Sequence, residues 1–380
     1  MTTATHEATV EQTSLTTDDG LTLAATWHRL AVSSADESSA GDSSDEGMPT
    51  GRTPKRPVVV AVHGYPDDQR VWDAMIPHLI PRADVLTYDT RGSGRSDAPP
   101  SRDGYALDKL RRDVDRAVTA AAENGHEVHL LAHDWGSIQA WQAVTDDGAA
   151  SCVSSFTTIS GPCLDHASRW MHAMARGSTH DRLLLAQQAA SSTYIAFFQT
   201  PLLPELAIRS GAFGRLLQRG DGAERERRDM LDGLELYRAN MGLRRHGSSA
   251  DATSGPRRTD VPTQIVVPKK DRYVREPIAT YGAAYAATSR VRRLDAGHWA
   301  VRSHAGDVAD LVIERRVDIR RAGDMPLAPQ PRHQIAAGGV GVGVVDGAKL
   351  AQLLVVYGVG VQTEETVVLY GLDEDFFESL

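Results

Sequence analysis

Two cysteines, Cys152 and Cys163, are all that the 380 residues contain, too few to build a disulfide framework. The chain also lacks any apolar run of roughly 18 to 20 residues, the length a membrane-crossing helix needs, so membrane insertion is not expected. Its opening stretch, MTTATHEATVEQ, lacks the basic and then apolar layout of a secretory signal, which makes a reducing cytoplasm the expected location. Positive charge is in deficit. The 41 Lys and Arg stand against 50 Asp and Glu, a formal net charge of −9, and this argues against a nucleic-acid surface. No Cys/His cluster has metal-ligand spacing, so no metal is expected.

The hydrophobic content, 41%, suffices for one large core or a main domain carrying a smaller one. Thr9 to Thr16 and Leu21 to Leu30 alternate apolar and polar residues around the turn signal DDG, which predicts an antiparallel hairpin. Residues 33–56, rich in Ser, Asp, Glu, Gly and Pro, have almost nothing to bury and read as a flexible acidic surface loop. Short apolar runs then follow: PVVVAVHG, ADVLTYDTRG, EVHLLAHDWG, VSSFTTISGP, TQIVVPKKD and SRVRRLDAGH. Runs this short, bounded by Gly or Pro and separated by helical patterns, predict parallel strands covered on both faces, an α/β protein. Strand signals vanish between Gly161 and Pro262, so 161–262 is expected to form a helical cap. The core then comprises 1–160 and 263–324. The last stretch, 325–380, is a Gly/Val-rich tail. Its GGVGVGVV is not followed by a helix and a partner acid in the manner of a dinucleotide fingerprint, and no cofactor is expected.

The chemistry concentrates at Leu130 to Ser137, LLAHDWGS. Ala132 and Gly136 are small and flank Asp134 at two residues on either side, the requirement of a sharp strand-to-helix turn that holds the central side chain out over a sheet. A carboxylate with a pKa of about 3.9 is already ionised at neutral pH. Its natural reaction is displacement at an sp³ carbon bearing a leaving group, giving an ester. Cleaving that ester requires a base, an orienting acid and an oxyanion hole. His298 and Asp271 follow Asp134 in the chain order nucleophile, acid, histidine, both at strand ends, with Asp260 and Asp295 as conceivable substitutes for Asp271. The backbone N–H groups of Trp135 and Tyr65 are the expected oxyanion donors. The blander reading of Asp134 is a helix N-cap. His133 is expected to pack beneath the turn and His63 to order the Tyr65 loop. Arg91 is expected to pair with Asp89, and Arg238, Arg244 and Arg245 to form a solvated face.

HGYPDD (His63 to Asp68), YDTRGSGRSDAP (Tyr88 to Pro99), AHDWGS, the Asp271 region and AGHW (Ala296 to Trp299) resemble the epoxide hydrolases of the α/β-hydrolase fold over roughly residues 56 to 320. The resemblance implies a mostly parallel central sheet flanked by helices, with an inserted helical cap. TYIAFFQTP (Thr193 to Pro201) and ELYRANM (Glu235 to Met241) resemble the family's two lid segments, which implies that Tyr194 and Tyr237 are the lid tyrosines. A phenol can hydrogen-bond or protonate the oxygen of an opening epoxide. The implied activity is hydrolysis of a small-molecule epoxide by water to a vicinal diol. Haloalkane dehalogenases share the HDWG turn and are the alternative, although Tyr65 stands where their HGNP pattern has Asn. A third reading is a catalytically silent binding module. VSSFTTISGPCLDH and the DMPLAP connector look most like bacterial epoxide hydrolases followed by a short-chain dehydrogenase domain, of which the tail would be a relic. A monomer or small homo-oligomer is expected.

Overall fold

A computed structural model describes residues 8–31, 55–123, 125–146, 149–241 and 255–323. The acidic segment 33–56, apart from Lys55 and Arg56, and the tail 325–380 with its DMPLAP connector lie outside the described residues, as do Arg244 and Arg245.

The strands are β1 (Ala8–Thr16), β2 (Thr22–Leu30), β3 (Val58–Val62), β4 (Asp84–Tyr88), β5 (Val128–His133), β6 (Val153–Ile159), β7 (Thr263–Pro268) and β8 (Ser289–Leu294). The helices are α1 (Ile76–Leu79), α2 (Leu107–Ala122), α3 (Trp135–Val144), α4 (Leu164–Arg176), α5 (Thr179–Ser191), α6 (Thr193–Gln199), α7 (Leu203–Arg209), α8 (Ala212–Asp221), α9 (Arg227–Asp232), α10 (Leu234–Asn240), α11 (Glu276–Tyr281), α12 (Ala300–Ser303) and α13 (Ala305–Gly323). The eight strands form one sheet in the order β1-β2-β4-β3-β5-β6-β7-β8. β3 to β8 run parallel, and the β1–β2 hairpin joins antiparallel through β4.

The two-residue period of a strand explains why its apolar runs are continuous. Val58, Val60 and Val62 of β3 face a core built with α2, α3 and the hairpin, where Val114, Val118, Trp141, Leu15 and Leu23 pack. Val59 and Ala61 face the opposite core, closed by α1, α12 and α13 through Ile76, Leu79, Val301, Val308 and Val312. β8 departs from the expectation of strands covered on both faces. Among the described residues it pairs only with β7 and stays partly exposed, and its Arg290, Arg292 and Arg293 turn to acids outside the sheet, Glu314 of α13 and Glu276 of α11.

α4 to α10 all fall between β6 and β7, and the sheet receives no strand from this segment. Their apolar faces meet the sheet domain in an aromatic-rich cluster, in which Phe198, Ile208, Leu234 and Tyr237 pack with Tyr65, Tyr105, Trp135 and Ile138. The cluster lies above the strand ends, where α/β sheets gather ligands.

Two arginines depart from their expected roles. Arg91 does not pair with Asp89. Its buried guanidinium forks onto Asp113 of α2, at 2.6 and 2.7 Å, and reaches Asp19 in the hairpin turn at 3.0 Å. Asp89 instead accepts the backbone N–H groups of Gln69 and Arg95. Arg238 is not on a solvated face. It ties α10 to α7 and α6 through Glu205, Phe198 O and Thr200 O. In both cases the stronger partner comes from a distant element, which local spacing does not reveal.

Candidate active site

The strand-to-helix turn predicted at Asp134 is present between β5 and α3. Asp134 adopts φ 52° and ψ −123°, a region a non-glycine residue occupies only when its surroundings over-determine it. Those surroundings are backbone. Asp134 N–H donates to Ile159 O at 3.0 Å, and Ser137 Oγ donates to Ala132 O at 2.8 Å. A Cβ on Gly136 would overlap Val62 O, and one on Gly64 would overlap the Asp134 carboxylate. The turn therefore packs directly against the loop after β3, and that loop reaches the carboxylate. Asp134 occupies the N-cap position of α3 but its side chain makes no capping bond there, so helix capping does not account for the carboxylate.

Tyr65 N–H donates to Asp134 Oδ1 at 2.8 Å, and the Trp135 N–H also bonds the carboxylate. Both expected oxyanion donors thus converge on one group. His63 holds the Tyr65 loop in place. Its Nδ1 donates to Gly64 O at 2.9 Å, and Nε2 accepts from Thr90 N–H at 2.9 Å, which fixes the tautomer.

His298, in the loop after β8, stands between two carboxylates. Its Nδ1 lies 3.1 and 3.2 Å from the two oxygens of Asp271, and its Nε2 faces Asp134 Oδ2 at 3.7 Å. The first contact is a hydrogen bond and the second an ion-pair separation. Asp271 is itself fixed by the β7–α11 loop, since its Oδ1 accepts the backbone N–H groups of Tyr273 at 2.8 Å and of Val274 at 3.1 Å. The alternatives to Asp271 fall away: Asp260 is exposed, and Asp295 pairs with Lys270 at the surface.

Burial dominates the electrostatics. It raises the Asp134 carboxyl to about 6, against the lowering pull of His298 and the two backbone donors. Burial alone would lower His298, yet Asp271, and then Asp134, bring it above its ordinary value. Asp271 likewise ends below the usual carboxylate range, its burial outweighed by His298. His133 behaves differently. Burial and the neighbouring His298 charge lower it to about 3, and its Nε2 donates to His298 O at 3.0 Å, so it is a neutral prop beneath the turn, as expected.

The two tyrosines singled out in the insertion meet above this group. Tyr237 of α10 is buried, edge-on to Trp135 at 5.1 Å and to Tyr65 at 5.4 Å, and Tyr194 of α6 lies 5.9 Å from Tyr237 between ring centroids. Burial, with Tyr194 and Asp134 nearby, raises the Tyr237 hydroxyl well above the ordinary phenol value, so it remains a donor at neutral pH. The Tyr65 side chain is turned away, donating its hydroxyl to Met230 O at 2.9 Å.

Two neighbours escaped the sequence reading. Tyr273 lies edge-on to His298 at 4.8 Å and to Tyr194 at 5.3 Å, and only its position two residues after Asp271 hinted at a place here. Asp67, two residues after Tyr65, is buried under three donors. Its partners lie far away in sequence and left no local signal. Among the described residues no group of three or more His, Cys, Asp or Glu could hold a metal ion, and no helix is long and apolar enough to cross a membrane.

Comparison with known proteins agrees with this architecture. Residues 57–305 match the family model described as alpha/beta hydrolase fold. A Mycobacterium tuberculosis protein named probable oxidoreductase EphD is 34% identical over 271 residues, covering 68% of this chain and 44% of its own length. This chain thus spans less than half of that relative. Epoxide hydrolase 3 of Xenopus tropicalis is 26% identical over 155 residues, 40% of this chain and 38% of its own. The crystal structure of a Bacillus megaterium epoxide hydrolase with an inhibitor superposes with a TM-score of 0.55 at 17% identity, covering 81% of this chain and all of that one, a likeness of fold.

Proposed function

Because this chain belongs to the alpha/beta hydrolase fold family, with a carboxylate where an elbow nucleophile stands, we propose that it is an epoxide hydrolase working through a covalent ester on Asp134. The observation that carries the reading is the combination at Asp134. An ionisable carboxylate takes the Tyr65 backbone donor at one oxygen, faces a His298–Asp271 pair with the other, and lies under phenols from the insertion. The names of the related proteins support the same substrate class.

In the first step Asp134 Oδ2 bonds to an epoxide carbon as the ring C–O bond breaks. The released oxygen takes a proton from Tyr237 or Tyr194, leaving a phenolate and a hydroxy-ester. In the second step His298 Nε2 removes a proton from water as its oxygen adds to the Asp134 carboxyl carbon. The negative charge then develops on Oδ1, facing Tyr65 N–H, with Trp135 N–H beside the carboxylate. Collapse breaks the ester bond and His298 returns its proton to the departing alkoxide. The proton left on the Asp134 carboxyl restores the phenol. The sum is epoxide plus water to vicinal diol.

Esterification also prepares the base. The Asp134 charge is one of the influences that hold His298 above its ordinary value. Once that charge is spent in the ester, His298 loses protons more readily, at the moment a base is required.

Incubating the protein with an aryl-substituted epoxide and, separately, with a bromoalkane tests the assignment. The expected result is diol from the first, lost in Asp134→Ala. Halide release without diol would move the assignment to a dehalogenase, for which the Trp135 indole beside the carboxylate would be the halide contact.

A further inference from the structure

Behind the Tyr65 loop lies a second buried charge cluster with no part in the steps above. Its centre is Asp67. Asp67 Oδ2 accepts the Trp299 indole N–H at 2.7 Å, and Oδ1 accepts Arg302 at 2.9 Å and Arg225 Nε at 3.0 Å. Arg225 belongs to the insertion, in the segment joining α8 to α9. Its side chain is 2% exposed, lies 4.7 Å above the Trp299 ring, and pairs with Asp221. A single carboxylate on the Tyr65 loop thus receives donors from two other parts of the fold, the turn and helix that follow His298 and the α8–α9 segment of the insertion.

What makes the cluster more than structural is where those elements lead. Asp67 is two residues from Tyr65, whose N–H holds Asp134 Oδ1. Trp299 adjoins His298, and the two rings meet at 4.9 Å. The oxyanion donor and the base are therefore each one or two residues from an Asp67 bond. Tyr194 and Tyr237, by contrast, stand on α6 and α10, outside the cluster. We propose that Asp67 is a positioning residue that clamps the Tyr65 loop, the His298 loop and the insertion together, and thereby serves cleavage of the ester more than its formation.

The charges make the clamp demanding. A buried carboxylate with three donors cannot be neutralised without stranding arginines: Arg225 would keep Asp221, while Arg302 is already left with an unpartnered Nε. In Asp67→Asn one of the two acceptor oxygens becomes an NH2 donor, so either the Trp299 N–H or the arginine pair faces a donor, and the turn that presents His298 loses part of its anchor. Displacements of about 1 Å in such groups slow a reaction by about 10²-fold.

The inference rests on the ester mechanism, and the test separates the two. Wild type, Asp67→Asn, Trp299→Phe and His298→Gln are each mixed with an aryl-substituted epoxide, and acid-quenched samples are followed by intact mass over time. In Asp67→Asn the ester should accumulate during turnover, its decay slowed by about 10²-fold while its formation changes less than about threefold. Trp299→Phe keeps the ring but deletes the N–H. It should accumulate ester to a smaller extent, and it carries the test if Asp67→Asn fails to fold. The acid limb of turnover in Asp67→Asn should also move to lower pH, since the Asp67 charge helps to hold His298 protonated. If His298→Gln traps ester but formation and decay slow in parallel in both clamp variants, Asp67 is a structural pair and the inference fails alone. If His298→Gln traps none while wild type still forms diol, the ester mechanism fails and the clamp's role goes with it.

Discussion

Asp134 combines an unfavourable backbone region, φ 52° and ψ −123°, with a buried carboxyl raised to about 6. Both features oppose stability, and on the proposed mechanism both serve displacement, since they aim a poorly solvated anion at the space beneath Tyr237. The sign of the pH effect follows. Below about pH 4 the carboxyl is protonated in folded and unfolded chains alike. Between about 4 and 6 the folded state keeps a proton that the unfolded state releases, so stability falls through this window and the deficit persists above it. Asp134→Asn should therefore melt above wild type at pH 8 and close to it at pH 4, in a calorimetric scan. The difference should be of order 1 kcal/mol for each unit of pKa displaced. Ring opening on this account needs the ionised carboxylate, so its single-turnover rate should fall as pH drops through about 6. Tyr237→Phe removes a donor while keeping the ring against Trp135 and Tyr65. Single-turnover ring opening should slow by about 10²- to 10³-fold, the usual loss for one oxyanion donor, with decay of the ester unchanged.

At the scale of elements, the strand β5, the turn and α3 act as one unit. α3 is buried along nearly its whole length, not amphipathic, because the sheet lies on one side and α2 on another. Gly136 sits where a side chain would strike Val62 O, a backbone atom of the central strand β3 that cannot move aside. Gly136→Ala should lower stability by about 1 to 3 kcal/mol, the range for overpacking a close-packed site, measured as a shift in the urea midpoint. This unit was legible in the sequence because its requirement is local: an apolar run, small flanking residues and an acid at the corner. The same holds for β3 to β7, whose double burial makes their runs continuous. β8 has a similar run but lies at the sheet edge, so only the fold reveals that its arginines pair with Glu314 and Glu276. Short helices such as α6, α9 and α10, six or seven residues each, lack side-chain caps and could be foreseen only as a region without strands. Ion pairs were the least legible. Arg91 finds Asp113 and Asp67 finds Arg225 through the third dimension, and each has a nearer acid or base in sequence that it does not use.

For the whole molecule, the sheet supplies three groups from three separate loops, after β3, β5 and β8, plus Asp271 after β7, and the α4 to α10 segment supplies two phenols from above. On the proposed mechanism none of these groups is competent alone: the carboxylate needs donors to hold its oxygen, and the ester it would form is a dead end without His298. That dependence can be tested in one experiment. His298→Gln, first shown to be folded by circular dichroism, is mixed with an aryl-substituted epoxide and weighed intact, and its peptides are then mapped. The expected result is an added mass equal to the whole epoxide, carried by the peptide that contains Asp134 and absent in the Asp134→Asn, His298→Gln double variant. An unmodified His298→Gln protein, alongside a wild type that still converts the same epoxide to diol, would contradict it.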